Sequence, residues 1–132
     1  MKYLLDTHVL LWLRLNPEKL RAEHRNIIES SETEKFVSSI TLWEISLKYA
    51  VGKLELGKHT PDEFLAGIYK IGLKDITPSA EQWSTYYLLP KIQGHRDHFD
   101  RMIVWLAIQS GMTLVSSDKK FGEYKPHGLS VI

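Results

Sequence analysis

Short apolar runs that stop at a polar or acidic residue and pass directly into helix-forming sequence recur along this chain. That alternation restricts the fold more than any other feature. Tyr3-Leu4-Leu5 ends at Asp6-Thr7 and leads into an apolar helical stretch that reaches Leu15. So short and apolar a run suits a strand covered on both faces, as strands of a parallel sheet are. Lys35-Phe36-Val37-Ser38 and Leu73 to Ile76 supply two further strands, and Leu114-Val115 and Leu129 to Ile132 the last two. The intervening helices have recognisable starts. Asn16-Pro17 offers a cap and a first-position proline for a helix that carries Leu20, Ile27 and Ile28 and ends near Ser30. Thr41 and Glu44 have capping-box spacing at the head of a helix to about Val51, with Gly52 as its stop. Thr60-Pro61-Asp62-Glu63 repeats the device before a helix through Ile71, and Ser79 with Gln82 opens one carrying Trp83, Tyr86, Tyr87 and Leu88 to Pro90. Asp97-His98-Phe99-Asp100 begins a strongly apolar helix through Ile108, closed by Gly111. Right-handed crossovers put such helices on both faces of a parallel sheet, so the pattern predicts an α/β fold.

At 132 residues and 43% hydrophobic, the chain has enough material for one core and too little for two ordinary domains, which predicts a single domain over residues 1–132. Seventeen Lys and Arg against sixteen Asp and Glu leave a net charge of +1, so contact with nucleic acid must come from local patches and not from a global basic field. With no cysteine, disulfides and thiolate metal sites are excluded and oxygen becomes the default ligand for any metal. The same absence suits a reducing cytoplasm. Asp6 and His8 interrupt the apolar N-terminal stretch, which therefore reads as core and not as a signal peptide. No run approaches the roughly 20 apolar residues that span a bilayer. A soluble, cytoplasmic protein with no membrane contact is expected.

Ligands of an open parallel sheet bind in the crevice beyond the carboxyl ends of its strands. Asp6 follows the first strand and Asp118 follows Leu114-Val115-Ser116-Ser117, so both should project from that edge. Glu44 and Asp100, each placed in a first helical turn, would be aimed inward from the same side. Four converging carboxylates repel one another unless a proton or a cation neutralises them. A hard divalent ion such as magnesium accepts oxygen ligands, and its coordination lowers the pKa of bound water and stabilises charge on a phosphodiester under attack. Metal-assisted phosphodiester hydrolysis is the chemistry this set suggests. Each acid also has a structural role open to it. Asp6 can cap a helix, Glu44 can be the capping-box partner of Thr41, Asp100 suits the macrodipole, and Asp118 can be a turn residue.

The strings LLDTH at 4–8, LWEISLKYAVGKLEL at 42–56, HRDHFDRMIVWLA at 95–107 and SSDKKF at 116–121 together resemble PIN-domain proteins of the VapC toxin group, in the family's order and up to about Phe121. The resemblance implies a three-layer α/β/α sandwich with a central, mainly parallel sheet. It implies that Asp6, Glu44, Asp100 and Asp118 bind Mg2+ or Mn2+. It also implies endonucleolytic cleavage of RNA, homodimers, and inhibition by a cognate VapB-like antitoxin within a type II toxin–antitoxin pair. His98 stands where the family commonly has proline, which loosens the first helical turn without removing a ligand.

Around these acids, Thr7 and Ser117 are hydroxyls placed to orient a carboxylate or a metal-bound water, and Asp97 reads first as a helix cap. Arg101, Arg96, His95, Lys119 and Lys120 adjoin the acids and are candidates to hold substrate phosphates, with Arg101 foremost. His8 is expected to pack. Trp43, Trp83 and Trp105 lie on apolar helical faces and are expected in core or dimer packing before RNA stacking. Two rival readings remain. A phospho-accepting signalling module would want adjacent acids after strand one and a lysine after the last strand. A non-catalytic RNA- or protein-binding domain would not require all four acids.

Overall fold

The computed structural model describes residues Met1–Ile132. Five strands form one all-parallel sheet: β1 (Lys2–Leu5), β2 (Glu34–Ser38), β3 (Lys74–Ile76), β4 (Thr113–Val115) and β5 (Ser130–Val131), in the order β3-β2-β1-β4-β5. Strand order reverses at β1, whose carboxyl end therefore faces an open crevice between β2 and β4. Leu5 pairs with Val37 on one side and Val115 on the other. The residue after each of these strands consequently arrives at the same level.

Alternate residues of each strand serve opposite layers, as a pleated strand requires. Leu4 and Leu114 pack with Ile103, Leu106, Phe121 and Tyr124 on one face. Leu5, Val37 and Val115 pack with Val9, Leu10, Ile45 and Ile68 on the other. The helices are α1 (Thr7–Leu15), α2 (Ala22–Glu29), α3 (Ser39–Ala50), α4 (Pro61–Lys70), α5 (Ala80–Ser84) and α6 (His98–Ser110). Every residue of α6 from Arg101 to Ala107 is buried, so the middle of this helix is enclosed on all sides, while its first turn, His98 to Asp100, is exposed or half-buried. Gly111 closes it in the left-handed conformation, φ 66°, that glycine adopts without a Cβ penalty. No helix is long and apolar enough to cross a membrane.

Three local expectations are corrected. The stretch after Asn16 is not one helix: Pro17–Lys19 forms a 3₁₀ turn, and Leu20 then takes extended backbone with its side chain buried before α2 begins. Asn16 makes no side-chain cap bond. Glu44 is not a capping-box partner, because the cap of α3 is Ser38, whose hydroxyl accepts from Thr41 N at 3.1 Å, which places Glu44 in the second turn. The helix opened by Ser79 stops at Ser84, and only a 3₁₀ turn follows over Tyr86–Leu88. Here the Trp105 indole donates to the Gln82 carbonyl at 3.0 Å, and Thr85 Oγ1 donates to Glu81 O at 2.7 Å alongside the backbone bond from Thr85 N, closing off the helix end. The Ser79–Gln82 and Thr60–Glu63 capping boxes both form.

Candidate metal centre

Asp6 is the first residue beyond β1 and is buried. Its Oδ1 caps α1 by accepting from Val9 N at 2.7 Å, and its Oδ2 accepts a short hydrogen bond from Ser116 Oγ. The register that pairs Leu5 with Val115 brings Asp6 beside Ser116, a hydroxyl the sequence did not single out, and Ser116 orients this carboxylate. Ser116 Oγ also accepts from Asp118 N at 3.1 Å, tying the two strand-end acids together. Ser117 Oγ is buried with no partner. Burial pushes the Asp6 carboxyl above its ordinary range, and the bonds from Ser116 and Val9 offset this only in part.

Glu44 reaches the same crevice from α3. Thr7 Oγ1 donates to Glu44 Oε1 at 2.8 Å and lies 3.0 Å from Thr41 Oγ1, so this hydroxyl holds one oxygen of the Glu44 carboxylate. Glu44 Oε2 accepts from Lys48 Nζ at 2.6 Å, an i,i+4 pair that raises the lysine pKa through that bond. Asp97 caps α6 by accepting from Asp100 N at 3.1 Å. This leaves Asp100, one turn in, with no hydrogen bond to its own carboxylate. Burial, then the charges of Asp97, Glu44, Asp6 and Asp118, push Asp100 up to about 7. Asp118 is exposed and caps the following 3₁₀ helix (Lys119–His127), accepting from Lys120 N at 2.9 Å.

Asp6, Glu44 and Asp118 thus lie near enough to Asp100 for their charges to act on it, and His95 stands beside it too. His95 Nε2 lies 3.7 Å from Asp100 Oδ2, and donor atoms of His95, Asp100 and Asp118 all fall within 4.8 Å of one another. Arg101 does not join them. It is buried, and its guanidinium donates to Tyr86 Oη at 2.9 Å, Tyr124 Oη at 2.9 Å, Pro90 O at 3.2 Å and Leu89 O at 3.2 Å. With its donors turned to Tyr124 and the 86–90 segment, it is a tie of the fold. Lys120 Nζ bonds Gly94 O at 2.9 Å. Lys91, Arg96 and His98 line the open cleft beside His95, and Arg101 forms part of its wall. His8 is exposed and lies against Trp12, 6.2 Å between ring centroids. Trp105 is buried, whereas Trp43 is 62% and Trp83 47% exposed.

The residues fit a hard divalent cation. The donor set is carboxylate oxygen, and the acid left without a hydrogen bond is the one that like charges perturb most. A pH dependence follows. Folding raises the Asp100 pKa from 3.8 to about 7, so between those values the folded state holds a proton that the unfolded state releases. Stability then falls as pH rises through that window. In chelator, the stability of wild type relative to Asp100→Asn is expected to fall from pH 6.5 to pH 8, and Mg2+ to raise the wild-type melting temperature more at pH 8. The variant is the reference because His24 and His95, both lowered chiefly by burial, titrate around pH 6.5 in the unfolded chain and act in the opposite sense, while Asp6, raised by burial, acts in the same one. A difference in melting temperature between wild type and Asp100→Asn that does not change between pH 6.5 and 8 would remove Asp100 as the source.

The PIN domain profile matches residues 3–125. No curated protein matches closely enough to count as a relative. Among solved structures, the VapBC2 complex of Rickettsia felis bound to a promoter DNA fragment contains a chain similar to this one, with TM-score 0.70 and 23% identity, covering 100% of this chain and 98% of that one. VapBC-1 of nontypeable Haemophilus influenzae gives 0.69 and 20%, covering 100% and 97%. The DNA-bound VapBC of Salmonella typhimurium gives 0.67 and 21%, again covering 100% and 97%. With a family profile spanning nearly the whole chain and a parallel sheet that gathers acids at its carboxyl edge, the protein belongs to the PIN-domain family.

Proposed function

We propose that this protein is a Mg2+- or Mn2+-dependent endoribonuclease and the toxin of a VapBC-like toxin–antitoxin pair. The observation that carries the reading is Asp100, a carboxylate without a hydrogen bond, pushed up to about 7 by burial and by the other acids of the edge. Asp6, Glu44, Asp100 and Asp118 would hold the cation. When bound, the ion supplies Lewis-acid stabilisation of charge on the phosphodiester and a nucleophile at neutral pH. The chain's own residues do the placing. Ser116 and Val9 fix both oxygens of Asp6, Thr7 and Lys48 fix those of Glu44, and the Asp97 cap sets the first turn of α6 so that Asp100 faces the crevice. Lys91, Arg96 and His98 in the adjoining cleft are placed to receive the backbone phosphates of RNA.

A protein partner is supported by apolar side chains on the surface. Trp43, Trp83 and Phe99 line a groove with Ile40, Tyr86, His98 and Met102, and Tyr87 is 78% exposed nearby. Contiguous apolar exposure of this kind marks interaction surfaces. A VapB-like antitoxin, and a second copy of this chain in a homodimer, are the occupants the family suggests, in the cytoplasm. Purified protein mixed with labelled single-stranded RNA is expected to cut internally with Mg2+ or Mn2+ and to stop in chelator. Cleavage that survives chelation, or that is unaltered in Asp6→Asn, would remove the reading.

A further inference from the structure

Behind the acidic edge runs a buried chain of side chains, Arg101 to Tyr124 to His95. Arg101 Nη1 donates to Tyr124 Oη at 2.9 Å, and that oxygen lies 2.5 Å from His95 Nδ1. His95 is 6% and Tyr124 0% exposed. The donor inventory fixes each proton. Arginine has donors only, so the Tyr124 oxygen accepts from it. The hydroxyl hydrogen of a fully buried tyrosine then needs an acceptor, and His95 Nδ1 is the group in contact. Were Nδ1 to carry the hydrogen, the phenol would receive two donors and its own hydrogen would have no acceptor. Nδ1 is therefore bare, and Nε2 carries the hydrogen.

Nε2 is buried and has no hydrogen-bond partner within the chain. It points at the acidic edge, 3.7 Å from Asp100 Oδ2, which is beyond hydrogen-bond reach. Proximity alone would count His95 among the metal ligands, but a ligand must present a lone pair and this nitrogen presents a hydrogen. Its complement is an anionic oxygen lodged between it and the acids. We propose that His95 donates its Nε2–H to a non-bridging oxygen of the RNA phosphate held at this centre, while Tyr124 and Arg101 act as positioning residues that fix the tautomer. The proposal rests on the nuclease reading above. The proton stays on Nε2 throughout. The donor is pre-aimed at an oxygen whose negative charge grows during attack on phosphorus, and such a donor lowers the barrier without reorganising.

Long-range 1H–15N NMR of the whole protein is expected to report His95 as the Nε2–H tautomer, with and without Mg2+. Tyr124→Phe should move His95 toward the other tautomer and lower kcat with little change in KM. Pulsed EPR of the Mn2+-loaded protein should show no directly bound nitrogen. His95→Gln, whose amide reaches the Nε2 position, should retain more cleavage than His95→Asn, which should lose about 10²- to 10³-fold, the cost of removing one oxyanion donor. Mn2+ affinity should be unchanged in both. If either variant fails to fold, Tyr124→Phe and the wild-type spectra carry the test. An Nδ1–H tautomer, or a bound-nitrogen signal lost in His95→Gln, would make His95 a ligand and overturn the proposal while leaving the nuclease reading standing. A wild type that binds no Mn2+ and cuts no RNA overturns both.

Discussion

Asp100→Asn is expected to lower cation-dependent RNA cleavage by about two to three orders of magnitude while raising the stability of the metal-free protein at pH 8. The two effects have one cause. The carboxylate is pushed up to about 7 because burial and the charges of Asp97, Glu44, Asp6 and Asp118 oppose its ionisation. A neutral amide of the same shape relieves that repulsion and also weakens the hold on a divalent ion. Improved stability with lost function is the pattern of a site whose strain serves its chemistry. Thermal denaturation in chelator and a cleavage assay on the same preparation check both. A variant that is less stable and equally active would show that Asp100 is structural.

Arg101→Met should have the largest effect on folding. The guanidinium ties two backbone carbonyls, Leu89 O and Pro90 O, to two phenols, Tyr86 Oη and Tyr124 Oη, within the packed first half of α6. Methionine fills similar volume and leaves Tyr124 Oη and Leu89 O unpaired in buried places and Tyr86 Oη and Pro90 O in part-buried ones, which costs on the order of 3–5 kcal/mol. For a chain of this size that is a fall in melting temperature of more than about 10 °C. Arg101→Lys should recover only part of it, since one ammonium cannot serve the fork of contacts. A melting temperature within about 2 °C of wild type in Arg101→Met would mean that the 86–90 segment does not depend on this tie.

Arg101 also shows where the sequence misleads. It sits next to Asp100, and adjacency in sequence suggests adjacency in the site, yet successive helical residues point about 100° apart. Asp100 faces the crevice and Arg101 the interior of the layer. The central strands were legible because buried parallel strands are short and apolar, whereas the edge strands β3 and β5 are mostly exposed; Asp6 and Asp118 followed from strand ends. The choice between Ser116 and Ser117 was not legible, since it depends on the register that sets Leu5 beside Val115. The Glu44–Lys48 pair carried a readable i,i+4 signal, although Glu44 itself looked like a capping residue until Ser38 proved to be the cap. His95 stood out in sequence only as a neighbour of the acids; what fixes its ring had no local signal, because Tyr124 and Arg101 reach it only through the fold, from 29 residues away in the case of Tyr124.

Titration of Mn2+ into the protein, followed by EPR alongside RNA cleavage, tests the central claim most directly, using wild type and the variants Asp6→Asn, Glu44→Gln, Asp100→Asn and Asp118→Asn. Wild type should bind Mn2+ and cut RNA over the same concentration range, and each variant should lose affinity and activity together. Variants that no longer bind Mn2+ but cut RNA at the wild-type rate would contradict a metal centre built from these four acids.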